Sequence, residues 1–265
     1  MGTPPYVDGH GLLAGKVVVV TAAAGAGIGS AVATRAVEEG ATVVVSDIHE
    51  RRLAEAADAL EALGGSRPLA CMCDVRDETQ VQNLLDAAVA EHGRLDVLVN
   101  NAGISRVVPA VDDNLAGFRH ELAVDLVAPY ELSRRAARWW IAEDHPGVVV
   151  NVGSVLGEVS GGRLRVPGYA AAKGGLHNLT RELAVQWARK GIRVNALAPG
   201  WFETEMNSDD MFHTDAGLAY IGDGAALGRG GRSHELDGAL LLLASDASSY
   251  LTGHVLLVDG GWTAS

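Results

Sequence analysis

From Lys16 onward, short β-branched runs alternate with segments whose apolar positions recur every three or four residues. Such alternation marks successive strand–helix units, with a parallel sheet buried on both faces. It predicts seven strands: Val17–Thr21, Thr42–Ser46, Leu69–Cys73, Leu95–Val99, Val148–Val152, Ile192–Leu197 and His254–Val258. One predicted helix carries Val81, Leu84, Leu85, Ala88 and Val89 on one face, opened by a capping signal at Asp77 and Gln80 and closed by Gly93. Another carries Leu53, Ala57, Leu60 and Leu63 and ends at Gly64 and Gly65. The fold class is α/β: a doubly wound, three-layer sandwich around a seven-stranded parallel sheet. Trp201–Gly231 alone lacks clear periodicity, which a compact domain tolerates as a functional flap. Its Trp201, Phe202, Met206, Met211 and Phe212 suggest an apolar lid over a substrate.

Composition sharpens this picture. The chain has 265 residues, 48% hydrophobic and 20% charged, enough for one large core. No Pro/Ser-rich linker divides it, so residues 12–265 are expected to form one domain behind a flexible lead-in, residues 1–11. A net charge of −12 makes nucleic acid a poor partner, because phosphate binding relies on clustered Lys and Arg. Cys71 and Cys73 point to the same side of a strand and read as reduced core residues. No secretion signal or apolar run of roughly 18 residues is found, so no membrane association is expected and the expected location is cytoplasmic. The histidines show no metal-ligand spacing, and no metal is predicted.

The first strand runs into Thr21-Ala-Ala-Ala-Gly25-Ala-Gly27-Ile28-Gly29 and then into a helix. Glycines let backbone N–H groups approach a pyrophosphate, and the helix N-terminus favours its charge. Asp47, at the end of the second strand, can accept hydrogen bonds from the ribose hydroxyls of NAD and would repel the 2′-phosphate of NADP. NAD is the expected cofactor; Arg51 and Arg52 leave NADP possible.

Tyr169 and Lys173 stand four apart on one side of a helix expected to run to about Arg189. A phenol exchanges protons poorly at neutral pH, but a neighbouring ammonium and a bound nicotinium favour the phenolate, making the pair a tunable acid/base. Ser154 follows the strand Val148–Val152, at the end where open α/β sheets bind ligands, and could steady a substrate oxygen.

Together these motifs resemble the short-chain dehydrogenase/reductase family in its compact form, with its Rossmann-like fold. Further matches are Asp74-Val75, Asn100-Asn101-Ala102-Gly103, Val194-Asn195 leading to Pro199-Gly200, and a tail from Ser245-Asp246 through Tyr250-Leu251-Thr252-Gly253 to Val258-Asp259-Gly260-Gly261. The resemblance implies an NAD(P)-dependent oxidoreductase moving a hydride between nicotinamide and a secondary alcohol or ketone. Tyr169 is then the acid/base, Ser154 steadies the oxygen, and Lys173 binds the nicotinamide ribose. The implied cofactor set is Thr21, Gly25, Gly27, Ile28, Gly29, Asp47, Ile48, Asp74, Val75, Asn101, Ala102, Gly103, Tyr169, Lys173, Pro199, Gly200 and Thr204. A homotetramer, or a dimer, is implied too. The substrate could be a 3-oxoacyl thioester, a steroid-like alcohol or a sugar alcohol.

Two departures stand out. The glycine turn lacks a glycine straight after Thr21 and is one residue longer than the family pattern. Asp125 replaces the Asn that orients a water beside Lys173, so a working relay with a shifted pH profile is expected. Arg163 and Arg165 could greet an anionic substrate or simply be solvated, and His177 reads as a packing or subunit-contact residue. The alternative to an enzyme is a catalytically altered cofactor-binding sensor or scaffold, which only Asp125 favours.

Overall fold

Short apolar runs, several of them rich in valine, form the seven strands in the computed structural model, which describes residues 10–63, 66–207 and 211–264. Gly64 and Gly65, residues 1–9 of the lead-in and residues 208–210 of the suggested lid lie outside the described residues. The strands are β1 (Val17–Thr21), β2 (Thr42–Asp47), β3 (Leu69–Met72), β4 (Val97–Asn100), β5 (Gly147–Val152), β6 (Ile192–Pro199) and β7 (Val255–Val258). All pairs are parallel, in the order β3-β2-β1-β4-β5-β6-β7. The chain winds outward from β1 to β3, then returns to lay β4 on the other side of β1. That reversal opens a crevice at the carboxyl ends of β1 and β4, the position where such sheets bind ligands.

Alternate residues of each strand enter opposite layers of core. Val18, Val20, Val43, Val45, Val97 and Val99 pack with α1 (Ile28–Glu38) and α8 (Asp237–Ala244). Val17, Val19, Val44, Leu98 and Val149 pack with α3 (Glu78–His92), α5 (Ala128–Ala142) and α6 (Pro167–Trp187). Each such side chain contributes about 1.5–3 kcal/mol when fully buried. Burial on both faces fails at the edge strand β3, where Ala70 and Met72 are exposed. The remaining helices described are α2 (Glu50–Glu61), α4 (Leu115–Leu122) and α7 (Asp215–Gly224).

Side chains move several expected boundaries. β4 starts at Val97 rather than Leu95, because the Asp96 carboxylate accepts from Val17 N (2.8 Å) and from Arg94, and Leu95 O takes Trp140 Nε1 (2.7 Å). β7 starts at Val255 because His254 N donates to Asn195 Oδ1 (3.0 Å). The Asp77 carboxylate caps α3 by accepting from Thr79 N and Gln80 N, and Gly93 ends that helix at φ +70°, as expected. α6 stops at Trp187 and tightens into a 3₁₀ turn over Ala188–Lys190.

The expectation of an aperiodic Trp201–Gly231 is corrected by α7, which Thr214 caps by accepting from Gly217 N (3.1 Å). The segment is pinned at its base, where Gly231 N donates to Trp201 O (2.8 Å) and the Phe202 side chain is buried in the core. Trp201 packs edge-on against Tyr220 and Trp262, each at 5.6 Å between ring centroids.

Candidate active site

The turn after β1 is laced to the end of β4. Thr21 Oγ1, fully buried, accepts from Asn101 N (3.0 Å) and Ala102 N (3.1 Å), while Asn101 Nδ2 donates to the carbonyls of Thr21 and Ala22 (3.0 Å each). A Cβ at Gly29 would collide with Ala22 O and Asn101, so only glycine lets α1 start this close to β1. Gly27 is the N-cap of α1, and nothing lies within 4 Å of where its Cβ would be. Asp47 closes β2 at 8% exposure, its carboxylate accepting from Ala24 N (3.3 Å) and His49 N (3.1 Å).

Pro167 at the first turn of α6 suits a position whose N–H needs no helical partner, and the helix then carries Tyr169 and Lys173. Lys173 is 3% exposed; its ammonium donates to Val152 O (2.9 Å), lies 3.2 Å from Asp125 Oδ1 and sits 5.4 Å from the Tyr169 ring centroid. Asp125 is fully buried on a π turn, Ala123–Val127, between α4 and α5. Its Oδ2 accepts from Ile104 N (3.2 Å), whereas Oδ1, though close to Lys173, is off line for a hydrogen bond. Burial pushes the Asp125 carboxyl above the usual carboxylate range, and Lys173 opposes that rise. Ser154, beyond β5, accepts from Leu156 N at Oγ (3.2 Å), which leaves its own O–H to donate.

Two cavities meet here. One is lined by Gly27, Ile28, Gly29, Asp47, Asn101, Gly103, Pro199, Gly200 and Thr204 together with Ser154, Tyr169 and Lys173. The other is mostly apolar, with Val107, Val155, Leu156, Leu164, Trp201 and Met211. Ser154, Tyr169, Gly200, Met206 and Asn207 line both.

Not every expected residue reaches the cleft. Thr21 and Ala102 support the turn from behind, and Val75 is buried with Cys73 in the core. Ile48 is exposed, and Asp74 is paired with Arg76. Gly25 does not line the cleft itself, although Arg52 and Glu205 beside it do. Asp125 stands behind Lys173. Arg163 and Arg165 are exposed and line neither cavity. His177 is buried, its Nδ1 2.9 Å from Glu158 Oε1, and burial lowers its basicity. Sequence reasoning missed Ala22, Ala24, Glu205 and Asn207 as lining residues; the one signal for Glu205 was its place next to Thr204.

Fold and site together define the short-chain dehydrogenase/reductase family, and the chain belongs to it: an oxidoreductase dependent on a nicotinamide cofactor. The family described as enoyl-(acyl carrier protein) reductase matches residues 22–263. The chain is 45% identical to (5R,7aS)-5-hydroxy-7a-methyl-1-oxo-2,3,5,6,7,7a-hexahydro-1H-indene-carboxyl-CoA reductase of Mycobacterium tuberculosis, over 97% of this chain and 96% of that protein. It is 42% identical to cis-4-hydroxycyclohexanecarboxylate dehydrogenase of Sinomonas cyclohexanicum, over 94% and 97%. A gluconate 5-dehydrogenase from Burkholderia cenocepacia, solved with NADP and tartrate, superposes with a TM-score of 0.89 at 34% identity, covering 97% of this chain and 100% of that one. Among the described residues no helix is long and apolar enough to cross a membrane.

Proposed function

We propose that the protein moves a hydride between NAD, with NADP admitted, and a secondary alcohol or ketone carried on an alicyclic, largely apolar framework. The observation that carries this reading is the junction of the two cavities at Ser154 and Tyr169. A reacting carbon at that junction has the dinucleotide cleft on one side and an apolar chamber on the other. Among the described residues no charged side chain lines the chamber, which suits a ring system better than a polyol. Two of the relatives above are named for ring substrates of this kind.

The residues present fit a dinucleotide. Gly27 leaves open space at the start of α1, Asp47 offers acceptors to ribose hydroxyls, and Lys173, which gives one N–H to Val152 O, keeps N–H groups for a ribose hydroxyl. A nicotinamide bound there supplies or accepts the hydride. Ser154 donates its hydroxyl hydrogen to the substrate oxygen, stabilising the charge that grows on it. Tyr169 gives its phenolic proton to that oxygen in reduction and takes it back in oxidation. Lys173, tied to the carbonyl of Val152 at the end of β5, fixes the distance between α6 and the cleft.

The test is Tyr169→Phe, assayed by NADH oxidation on a panel of cyclic ketones. Turnover is expected to fall by at least about a hundredfold, the scale of a lost general acid, with NADH affinity unchanged. Turnover that survives the substitution overturns the mechanism. A wild-type protein that binds NADH and turns over no ketone favours the sensor reading instead.

A further inference from the structure

The dinucleotide cleft contains an anion of the protein's own. Glu205 Oε1 accepts from Ala26 N (2.9 Å), and Oε2 pairs with the Arg52 guanidinium. The carboxylate lies on the turn itself: a Cβ at Gly25 would stand 2.7 Å from Glu205 Oε1. Arg52 and Ala26 hold this carboxyl below the usual carboxylate range, so it is charged at neutral pH. A local turn keeps it there, since Thr204 N donates to Asn207 Oδ1 (3.0 Å) and Asn207 Nδ2 to Phe202 O (2.9 Å). Ala26 belongs to the turn that is one residue longer than the family pattern. Arg52 and Asp47 line the same cleft.

We infer that Glu205 is a determinant of cofactor choice: it holds Arg52 neutralised beside the adenosine end of the cleft and thereby disfavours the dinucleotide that carries a 2′-phosphate. The inference rests on reading this cleft as the dinucleotide site. An arginine near the acidic residue at the end of β2 is the type of group that accommodates a 2′-phosphate. Here its charge is already matched by the Glu205 carboxylate. Any phosphate brought to the Ala26 amide also competes with Oε1, a handicap that NAD and NADP share. The handicap that differs between them is the one acting through Arg52.

The experiment compares NADH and NADPH binding, by calorimetry, to the wild-type chain, Glu205→Gln and Glu205→Gln/Arg52→Ala. Gln keeps the size of the side chain and an acceptor for Ala26 N but removes the charge. NADPH affinity is expected to rise on the order of tenfold in Glu205→Gln, with NADH affinity rising about threefold or less. Adding Arg52→Ala is expected to return the NADPH-to-NADH ratio to its wild-type value or below. An unchanged ratio in Glu205→Gln, or a gain for NADPH that survives Arg52→Ala, overturns the inference. Failure of the wild-type chain to bind either dinucleotide is a different result, and it overturns the reading of the cleft.

Discussion

Lys173 has two fixed neighbours, and one of them is a carboxylate. The main-chain oxygen of Val152 only positions the ammonium, whereas Asp125, 3.2 Å away and fully buried, cancels part of its field at Tyr169. Asp125→Asn keeps an acceptor for Ile104 N and removes that charge. With Tyr169 as the proposed acid/base, the pH–rate curve for alcohol oxidation is expected to move toward lower pH, because Lys173 then acts on it without an opposing carboxylate. Initial rates of NAD reduction between pH 5 and 10 would read the shift; superimposable curves for the two proteins would remove Asp125 from the relay. That Ser154, Tyr169 and Lys173 line one cleft was legible in the sequence, because strand, serine and Tyr-x-x-x-Lys follow one another along the chain. Glu205 was not, since Ala26 and Arg52 are 179 and 153 residues away in sequence.

At the scale of elements, periodicity located the strands because five of the seven are buried on both faces and read as short, mostly apolar runs. It failed where a side chain stood in for a ladder partner, as Asp96 does before β4. It failed also for α7, whose three glycines break the apolar stripe while Thr214 supplies the start. The β1–α1 turn shows what such a departure costs. Ala22 stands where the family pattern has glycine, and it holds φ +51°, in the left-handed region that L-residues avoid. The strain there is about 1–2 kcal/mol, part of it offset because alanine restricts the unfolded chain. Ala22→Gly is therefore expected to raise the unfolding free energy by about 0.5–1 kcal/mol, measured by urea titration. A loss of stability would show that the alanine methyl makes contacts worth more than the strain it causes.

The whole molecule responds to pH through groups far from the cleft. Just before α8, the Arg229 guanidinium beside Glu235 holds that carboxyl at about 2, while at the first residue of the helix burial pushes Asp237 up to about 6. Arg35 and His234 pull Asp237 the other way, but Arg35 is already engaged by Glu39 (2.6 Å) and Glu38 (3.5 Å). The two shifts act with opposite sign. Glu235 is paired in the fold, so its contribution is present above its ordinary value of 4.5 and is lost as pH falls through about 2. Asp237 binds its proton more tightly folded than unfolded, so its contribution is complete below 3.8 and is lost as pH rises through about 6. Of these two groups only Asp237 titrates between pH 4 and 7.5, and its contribution to stability is lost over that range. Asp237→Asn removes the titration while keeping the shape. Its melting temperature is expected to match the wild type near pH 4 and to exceed it at pH 7.5 by roughly 2–4 °C, the shift that about 1 kcal/mol produces in a domain of this size. Scanning calorimetry of both proteins at the two pH values would check it. A difference that is the same at pH 4 and pH 7.5 would mean that burial at the start of α8 does not hold the proton on Asp237.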